Sequence, residues 1–404
     1  MKNLKTKQIT NFSESCLQTF LPKSEKYQTT LSTEVELFGL GLHTKKNVKL
    51  NLKPSFSGFG IQFKVLEKNK IEFDDSNSRM EFFNNQGDIK KTYLGKDKNY
   101  LELQNSFKSR NKNYYKSNFY HINELKKRNF NLFYENVNSL IIPLNERTNL
   151  LSAQIENVKK NPYYYISLSD KISEIKGVEH LMSSLEGCSI DNCEIILKGG
   201  NEIPILEGSS IGFINEVIKA GIMYSSDNIF VGDKTYQKRR RKFRFSSDKA
   251  FAVNHNESFI SYYPDTTTKI TVGVDMGRVA PIIGKQWFSF DMYEDDHYRW
   301  EIAPARMYIS SLEELYLAND LGYFKNGINN CVNIACKSSW NQFNDIRFFN
   351  SECARHEILD IIGCLKLLTY NGNGGIPYGH IIAYKPSLSM VIRFIKTFKE
   401  SFIY

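Results

Sequence analysis

One run of elements is legible twice in this chain, and that repetition restricts the fold more than any other feature. In each half, strands lead to a helix that opens on a histidine beside a charged residue. A further strand and a second helix follow. The first such helix is Val178-Glu179-His180-Leu181-Met182-Ser183-Ser184-Leu185-Glu186-Gly187, where Val178, Leu181, Met182 and Leu185 recur at helical steps and Gly187 marks the stop. The second is Arg355-His356-Glu357-Ile358-Leu359-Asp360-Ile361-Ile362-Gly363-Cys364, with Ile358, Leu359, Ile362 and Leu365 on one face. Around the first, Val48, Leu50 and Leu52 alternate with Lys49, Asn51 and Lys53 as a half-buried strand. Ile61 to Val65 and Glu194 to Leu197 give two more. Around the second, Ile270, Val272 and Val274 alternate and Ile381 to Tyr384 form a strand. Helices bearing Ile211, Ile214, Val217 and Ile218, and Val391, Ile392 and Ile395, complete the two units. A chain of 404 residues has the length for more than one core, and the predicted class is α+β.

Other stretches lack this order. Residues 1–35 read as a polar N-terminal tail; Lys2, Lys5 and Lys7 without early acids hint at an organelle transit peptide. Residues 67–138 are dominated by Asn, Lys, Ser and Tyr and hold no apolar period, so they read as a flexible insertion. The mixture Lys112-Asn113-Tyr114-Tyr115-Lys116 leaves single-strand nucleic acid as the alternative there. Lys238-Arg239-Arg240-Arg241-Lys242 is read as a solvated strand start, with a nucleic-acid patch as its alternative. Regular structure resumes at Leu140-Ile141-Ile142, and Ser311-Leu312-Glu313-Glu314 is a capping box that opens a helix. The seven cysteines form no C-x-x-C pair, which favours a reducing, intracellular compartment, and no apolar run spans a membrane. A net charge of +9 suits an acidic ligand without requiring nucleic acid.

The histidines decide the chemistry. Glu179-His180 by itself is also an ordinary exposed pair at a helix start. His356 and Asp360, four apart, share one helix face. A hydrolytic zinc site takes three ligands of His and carboxylate type, a set that His180, His356 and Asp360 supply. Glu179 is then the candidate general base.

Longer motifs carry a resemblance. They are Gly39-Leu40-Gly41-Leu42-His43-Thr44, Val178 to Met182, Ser189-Ile190-Asp191-Asn192, Glu202 to Ser209, Pro281 to Trp287, Glu301 to Arg306 and Arg355 to Gly363. In this order they resemble the zinc-dependent UDP-3-O-acyl-N-acetylglucosamine deacetylases of lipid A biosynthesis, the plant and cyanobacterial members in particular. The resemblance implies two similar domains, 36–222 and 223–404, each a sheet with helices packed on one face. The helical layers then face each other around the zinc. It implies His180, His356 and Asp360 as zinc ligands, Glu179 as general base, and Tyr308, Gly327 and Lys385 as substrate-binding residues. The segment Ile309 to Gly327, with Leu312, Leu315, Tyr316, Tyr323 and Phe324, corresponds to the acyl-chain passage. The implied partner is a UDP-linked acylated glucosamine, met by a soluble monomer in cytoplasm or organelle matrix, with no nucleic acid. The chain departs from the family where Glu357 replaces lysine, Cys364 an acid, Met307 threonine and Leu388 the catalytic histidine. These departures imply a slowed deacetylase, or a degenerate homologue that binds zinc or an acylated nucleotide sugar without turnover.

Overall fold

Alternating apolar residues build two five-stranded sheets of the same topology. The computed structural model describes residues 27–66, 150–160, 162–231, 234–292, 297–326, 331–336, 339–340 and 346–401. The insertion at 67–138, the regular structure expected to resume at Leu140 to Ile142, and Gly327 lie outside the described residues.

A short strand β1 (Thr29–Leu31) comes first. The first sheet follows with β2 (Val35–Leu40), β3 (Asn47–Pro54), β4 (Ile61–Leu66), β5 (Leu151–Ser152) and β6 (Cys193–Lys198), in the order β2-β3-β6-β4-β5. The central strand β6 lies antiparallel to β3 and parallel to β4; Leu52 and Phe63 both register with Ile195. After β7 (Ile222–Tyr224), the second sheet contains β8 (Phe251–His255), β9 (Ser258–Tyr263), β10 (Thr268–Asp275) and β11 (Lys285–Asp291). The small strands β12 (Tyr308–Ile309) and β13 (Asn333–Cys336) pair in parallel, and β14 (Gly379–Tyr384) completes the second sheet as β8-β9-β14-β10-β11. Here β14 is antiparallel to β9 and parallel to β10, the same arrangement as in the first sheet.

Each central strand is bracketed by helices. Helices α1 (Glu179–Gly187) and α2 (Ile211–Ala220) flank β6 in sequence. Helix α3 (Leu312–Asp320) stands apart, and α4 (Glu352–Leu365) and α5 (Leu388–Glu400) flank β14. The apolar stripes expected for α1 and α4 are buried, and Leu181, Met182, Leu185, Ile358, Leu359 and Ile362 belong to one cluster that also takes in both sheets. Among the described helices, α1 makes its broadest helix contact with α4. At their nearest approach Gly363 has no room for a side chain: a Cβ there would stand 2.1 Å from the Glu179 carbonyl oxygen. The α+β class and the facing of the two histidine helices are therefore observed. Both halves belong to a single compact unit.

Three expectations need correction. The tail does not run to residue 35, because β1 pairs antiparallel with β7 and Gln28, Thr29 and Thr30 are buried. Polar side chains are tolerated there because each finds a partner. Gln28 Nε2 donates to the Asn371 carbonyl at 3.0 Å, and Thr30 Oγ1 donates to the Asn192 carbonyl at 2.7 Å. The basic run is not a solvated strand start either. Lys242 is buried with its Nζ 2.8 Å from Asp191, and Arg244 donates to the Ile376 carbonyl at 2.9 Å, while Arg240 pairs outside with Asp227. In the capping box, Ser311 Oγ accepts from Glu314 N at 3.0 Å as expected. Glu314 returns to the amide of Ser310, one residue earlier than expected.

Candidate metal centre

Gly177, at φ +69°, turns the chain from a backbone pair with Ile166 into α1 and sets Glu179 and His180 in the first turn. Across the interface, α4 presents His356 and Asp360 one turn apart. The ligating atoms of His180, His356 and Asp360 all lie within 4.8 Å of one another. His180 Nε2 is 3.5 Å from Asp360 Oδ1, and His356 Nε2 is 3.6 Å from Asp360 Oδ2. Tetrahedral zinc with bonds of 2.0–2.1 Å separates its donors by about 3.4 Å, so the set is close to closed around such an ion.

The two imidazole donors are in the state a cation needs, whereas burial pushes the Asp360 carboxyl up to about 8, toward the protonated form that a bound cation would reverse. Burial holds the His180 imidazole well below its usual range, with His356 adding to the effect. Burial likewise lowers His356, against a hydrogen bond to Ala305 that raises it. Both rings are therefore neutral. His356 Nδ1 lies 3.0 Å from the Ala305 carbonyl, which can only accept; the ring proton sits on Nδ1 and the Nε2 lone pair faces Asp360. Asp360 Oδ1 is buried and accepts no hydrogen bond from the described residues, a costly state for a carboxylate oxygen unless a cation meets it. These residues fit a zinc ion.

Glu179 adjoins the donors. Its Oε2 accepts from the Ile166 amide at 3.0 Å, and burial, with Asp360 second, raises its proton affinity. Glu357 accepts from the Tyr308 hydroxyl at 2.8 Å and is pushed up to about 7 by burial and then by Asp360. A cleft of about 450 Å³ opens over Glu179, His180, His356 and Asp360. His43, Tyr164, Tyr165, Glu202 and Met307 form other parts of its wall.

Of the residues anticipated for the site, Glu179, His180, His356 and Asp360 come together. Tyr308 reaches it through Glu357. Lys385 does not line the cleft; its Nζ is 2.9 Å from Glu257 Oε2 at the end of β14. Leu388 opens α5, half-buried against the core. His380 lies in β14, its Nε2 2.8 Å from Thr271 Oγ1. Glu202 and His43 belong to recognised motifs, yet their joint role was not foreseen. The Glu202 carboxylate accepts from the amides of His43 at 2.8 Å and Thr44 at 2.7 Å. Gly41 permits this approach, since a Cβ there would stand 2.4 Å from Glu202 Oε2. The two glycines before a histidine were the available signal. His43 Nδ1 in turn accepts from the Phe324 amide at 3.3 Å, and burial followed by Lys176 lowers its pKa to about 3.

The sequence profile of the UDP-3-O-acyl N-acetylglycosamine deacetylase family matches residues 139–400, which include both histidine helices. Among curated relatives, the probable UDP-3-O-acyl-N-acetylglucosamine deacetylase 1, mitochondrial, of Arabidopsis thaliana is 32% identical over 246 residues, covering 59% of this chain and 72% of that protein. The UDP-3-O-acyl-N-acetylglucosamine deacetylase of Trichormus variabilis is 28% identical over 221 residues, 54% of this chain and 71% of its own. That of a Synechocystis strain is 27% identical over 220 residues, with the same coverage. Strands β2 to β4 precede the matched region but share their sheet with β6 inside it, and β1 pairs with β7, also inside it. The chain belongs to the UDP-3-O-acyl N-acetylglycosamine deacetylase family.

Proposed function

We propose that this protein is a zinc-dependent hydrolase that removes the N-acetyl group of a UDP-linked 3-O-acylated glucosamine, at a rate below that of a complete site. The observation that carries this reading is the convergence of His180, His356 and Asp360 beside Glu179 at the floor of one cleft. When bound there, zinc supplies a Lewis acid for the amide carbonyl and acidifies water. Glu179 takes a proton from the attacking water and is placed to return it to the amine as the C–N bond breaks, releasing acetate. The raised proton affinity of Glu179 suits both steps.

The attenuation follows from the proton donor. Leu388 cannot give a proton, and His380 is committed to Thr271 in β14. His43 faces the cleft, but its depressed pKa keeps it neutral at physiological pH. A positioned acid is worth ~10²–10⁴ in rate, and that is the size of the deficit. Glu357 sets a carboxyl where the family has a cation, although burial leaves it partly protonated near neutrality, which softens the conflict with a developing oxyanion. Tyr316, Leu317 and Leu321, exposed on and just after α3, support an acyl chain on that side. We extend the substrate role to Tyr308 and Lys385, the latter after release from Glu257. The two topological repeats support a division at 36–222 and 223–404. The cysteines free among the described residues and the mitochondrial names of the plant relatives support a reducing compartment such as an organelle matrix.

The test is acetate release from the UDP-linked acylglucosamine, with zinc, by wild type, Glu179→Ala and Leu388→His. Slow release by wild type, loss in Glu179→Ala and a gain of ~10²-fold or more in Leu388→His are expected. The placement of Leu388 against the core favours a second reading, binding without turnover. Activity confined to Leu388→His would establish it. Inactivity of all three proteins would sink the deacetylase reading.

A further inference from the structure

The residue that holds the metal histidine in its tautomer is itself held by a carboxylate outside the cleft. Glu352 lies in the first turn of α4, one turn before His356, and is only 2% exposed. Its Oε2 accepts from the amides of Arg347 at 2.6 Å and Phe348 at 3.3 Å, which fixes the entry to the helix. Its Oε1 points the other way. That oxygen accepts from Asn333 Nδ2 at 3.0 Å, from Arg306 Nε at 3.1 Å and from the Arg306 amide at 3.2 Å.

The Arg306 amide belongs to the same peptide plane as the Ala305 carbonyl, which accepts from His356 Nδ1 at 3.0 Å. One peptide group thus joins two side chains of α4. At its N–H end stands an anion, and at its C=O end the imidazole. An anion on the N–H draws electron density toward the carbonyl oxygen and makes it a stronger acceptor. The proton is held on Nδ1, and the Nε2 lone pair facing Asp360 becomes more basic. Many metal sites place a carboxylate directly on the outer nitrogen of a ligating histidine. Here a peptide is interposed.

We propose that Glu352 is a positioning residue for the metal centre, acting on His356 through the peptide between Ala305 and Arg306. This rests on the zinc reading of the site. Arg306 neutralises Glu352 in the buried interior, so the pair brings the anion to the peptide without leaving an isolated charge.

The experiment is zinc competition against a chelator, together with the NMR resonance of the His356 Nδ1–H, on the full chain. Glu352→Gln is expected to weaken zinc ~10–100-fold, the usual effect of losing an outer partner of a ligand, and to move the Nδ1–H resonance upfield. Should that single variant fold poorly, Arg306→Met with Glu352→Gln removes both buried charges and is expected to weaken zinc to the same degree. Asn333→Ala removes a bond to the same Oε1 but leaves the peptide in place, and is expected to bind zinc as wild type does. Wild-type zinc affinity with an unmoved resonance in the folded Glu352 variants overturns the proposal. So does an equal loss in Asn333→Ala, which would make the role structural. A wild-type protein that takes up no zinc overturns the metal reading instead. The resonance in the metal-free variants then still decides whether the peptide link exists.

Discussion

Replacing Gly363 by alanine should damage the metal site from within the ligand-bearing face of α4, one turn beyond Asp360. In α4 a Cβ at 363 would stand 2.1 Å from the Glu179 carbonyl oxygen, 2.8 Å from its carbon and 3.1 Å from its Cα. The obstacle is backbone of α1, which cannot rotate away as a side-chain tip can. Restoring an ordinary contact of about 3.4 Å requires the helices to part by about 1.3 Å at that point. The gain in helix propensity is about 1 kcal/mol, against an overpacking penalty of about 1–3 kcal/mol, so stability without metal should fall by no more than about 2 kcal/mol. The effect on metal should be larger. His180 Nε2 and Asp360 Oδ1 are 3.5 Å apart and belong to the two helices that must separate. Opening by about 1.3 Å takes them past the roughly 4.2 Å that two zinc–ligand bonds can span even in line. Zinc affinity measured by chelator competition should drop by at least ~10-fold, with the Tm of the metal-free protein recorded beside it. Gly277→Ala, where a Cβ would meet only Asp275 Oδ1 at 3.5 Å, is the control and should change neither quantity. Wild-type zinc affinity in Gly363→Ala would refute the idea that this contact sets the donor spacing.

Three further outcomes follow from charge and linkage. Burial raises Glu186, but Lys366, Lys242 and Arg244 together lower its pKa to about 2, from an ordinary 4.5. A depressed carboxylate contributes stability above about pH 4.5 and loses it as pH falls toward about 2, on the order of 3 kcal/mol in all. Urea midpoints across that window should fall in wild type and flatten in Glu186→Gln; parallel curves would discredit the assignment. Lys242→Ala takes from buried Asp191 its nearer cation, leaving Lys366 Nζ at 3.7 Å, and should cost about 3 kcal/mol in urea unfolding, whereas exposed Arg241→Ala should stay within about 0.5 kcal/mol. Equal losses would show that the basic run acts through its surface charge. Stripping zinc with a chelator should lower apparent stability by about 4 kcal/mol from a starting free zinc of about 1,000 times Kd, and a Tm indifferent to zinc would contradict tight binding at these donors.

The histidine helices were readable because a period of 3.6 is a local property: Val178, Leu181, Met182 and Leu185 announce α1 without help from the rest of the chain. The ligand pair His356 and Asp360 was readable for the same reason. Partners set by tertiary approach were not. Glu352 takes the Arg347 and Phe348 amides from its own helix entry, but it also gathers Arg306 and Asn333 from far along the chain, and nothing in its neighbourhood in sequence announces those two. Residues 27–31 looked like tail because a three-residue strand has no measurable alternation. Their polar side chains are buried only because Asn192 and Asn371 meet them. The basic run misled because Lys242 and Arg244 are internal counter-ions for Asp191 and Glu186, and charge alone does not reveal which way a side chain turns.

The position of β6 and β14 has a consequence for how the chain is made. Each is the middle strand of its sheet and the last of that sheet in sequence. During synthesis β3 and β4 are both present while the strand that must lie between them is not, and the same holds for β9 and β10 until β14 emerges. Each pair of strands keeps open edges for that interval, a state prone to wrong pairing. The helix that precedes each closing strand is the one carrying the histidine, α1 before β6 and α4 before β14. No sheet can therefore close before its metal-binding helix has been made. The order of synthesis ties completion of each sheet to the arrival of its half of the site.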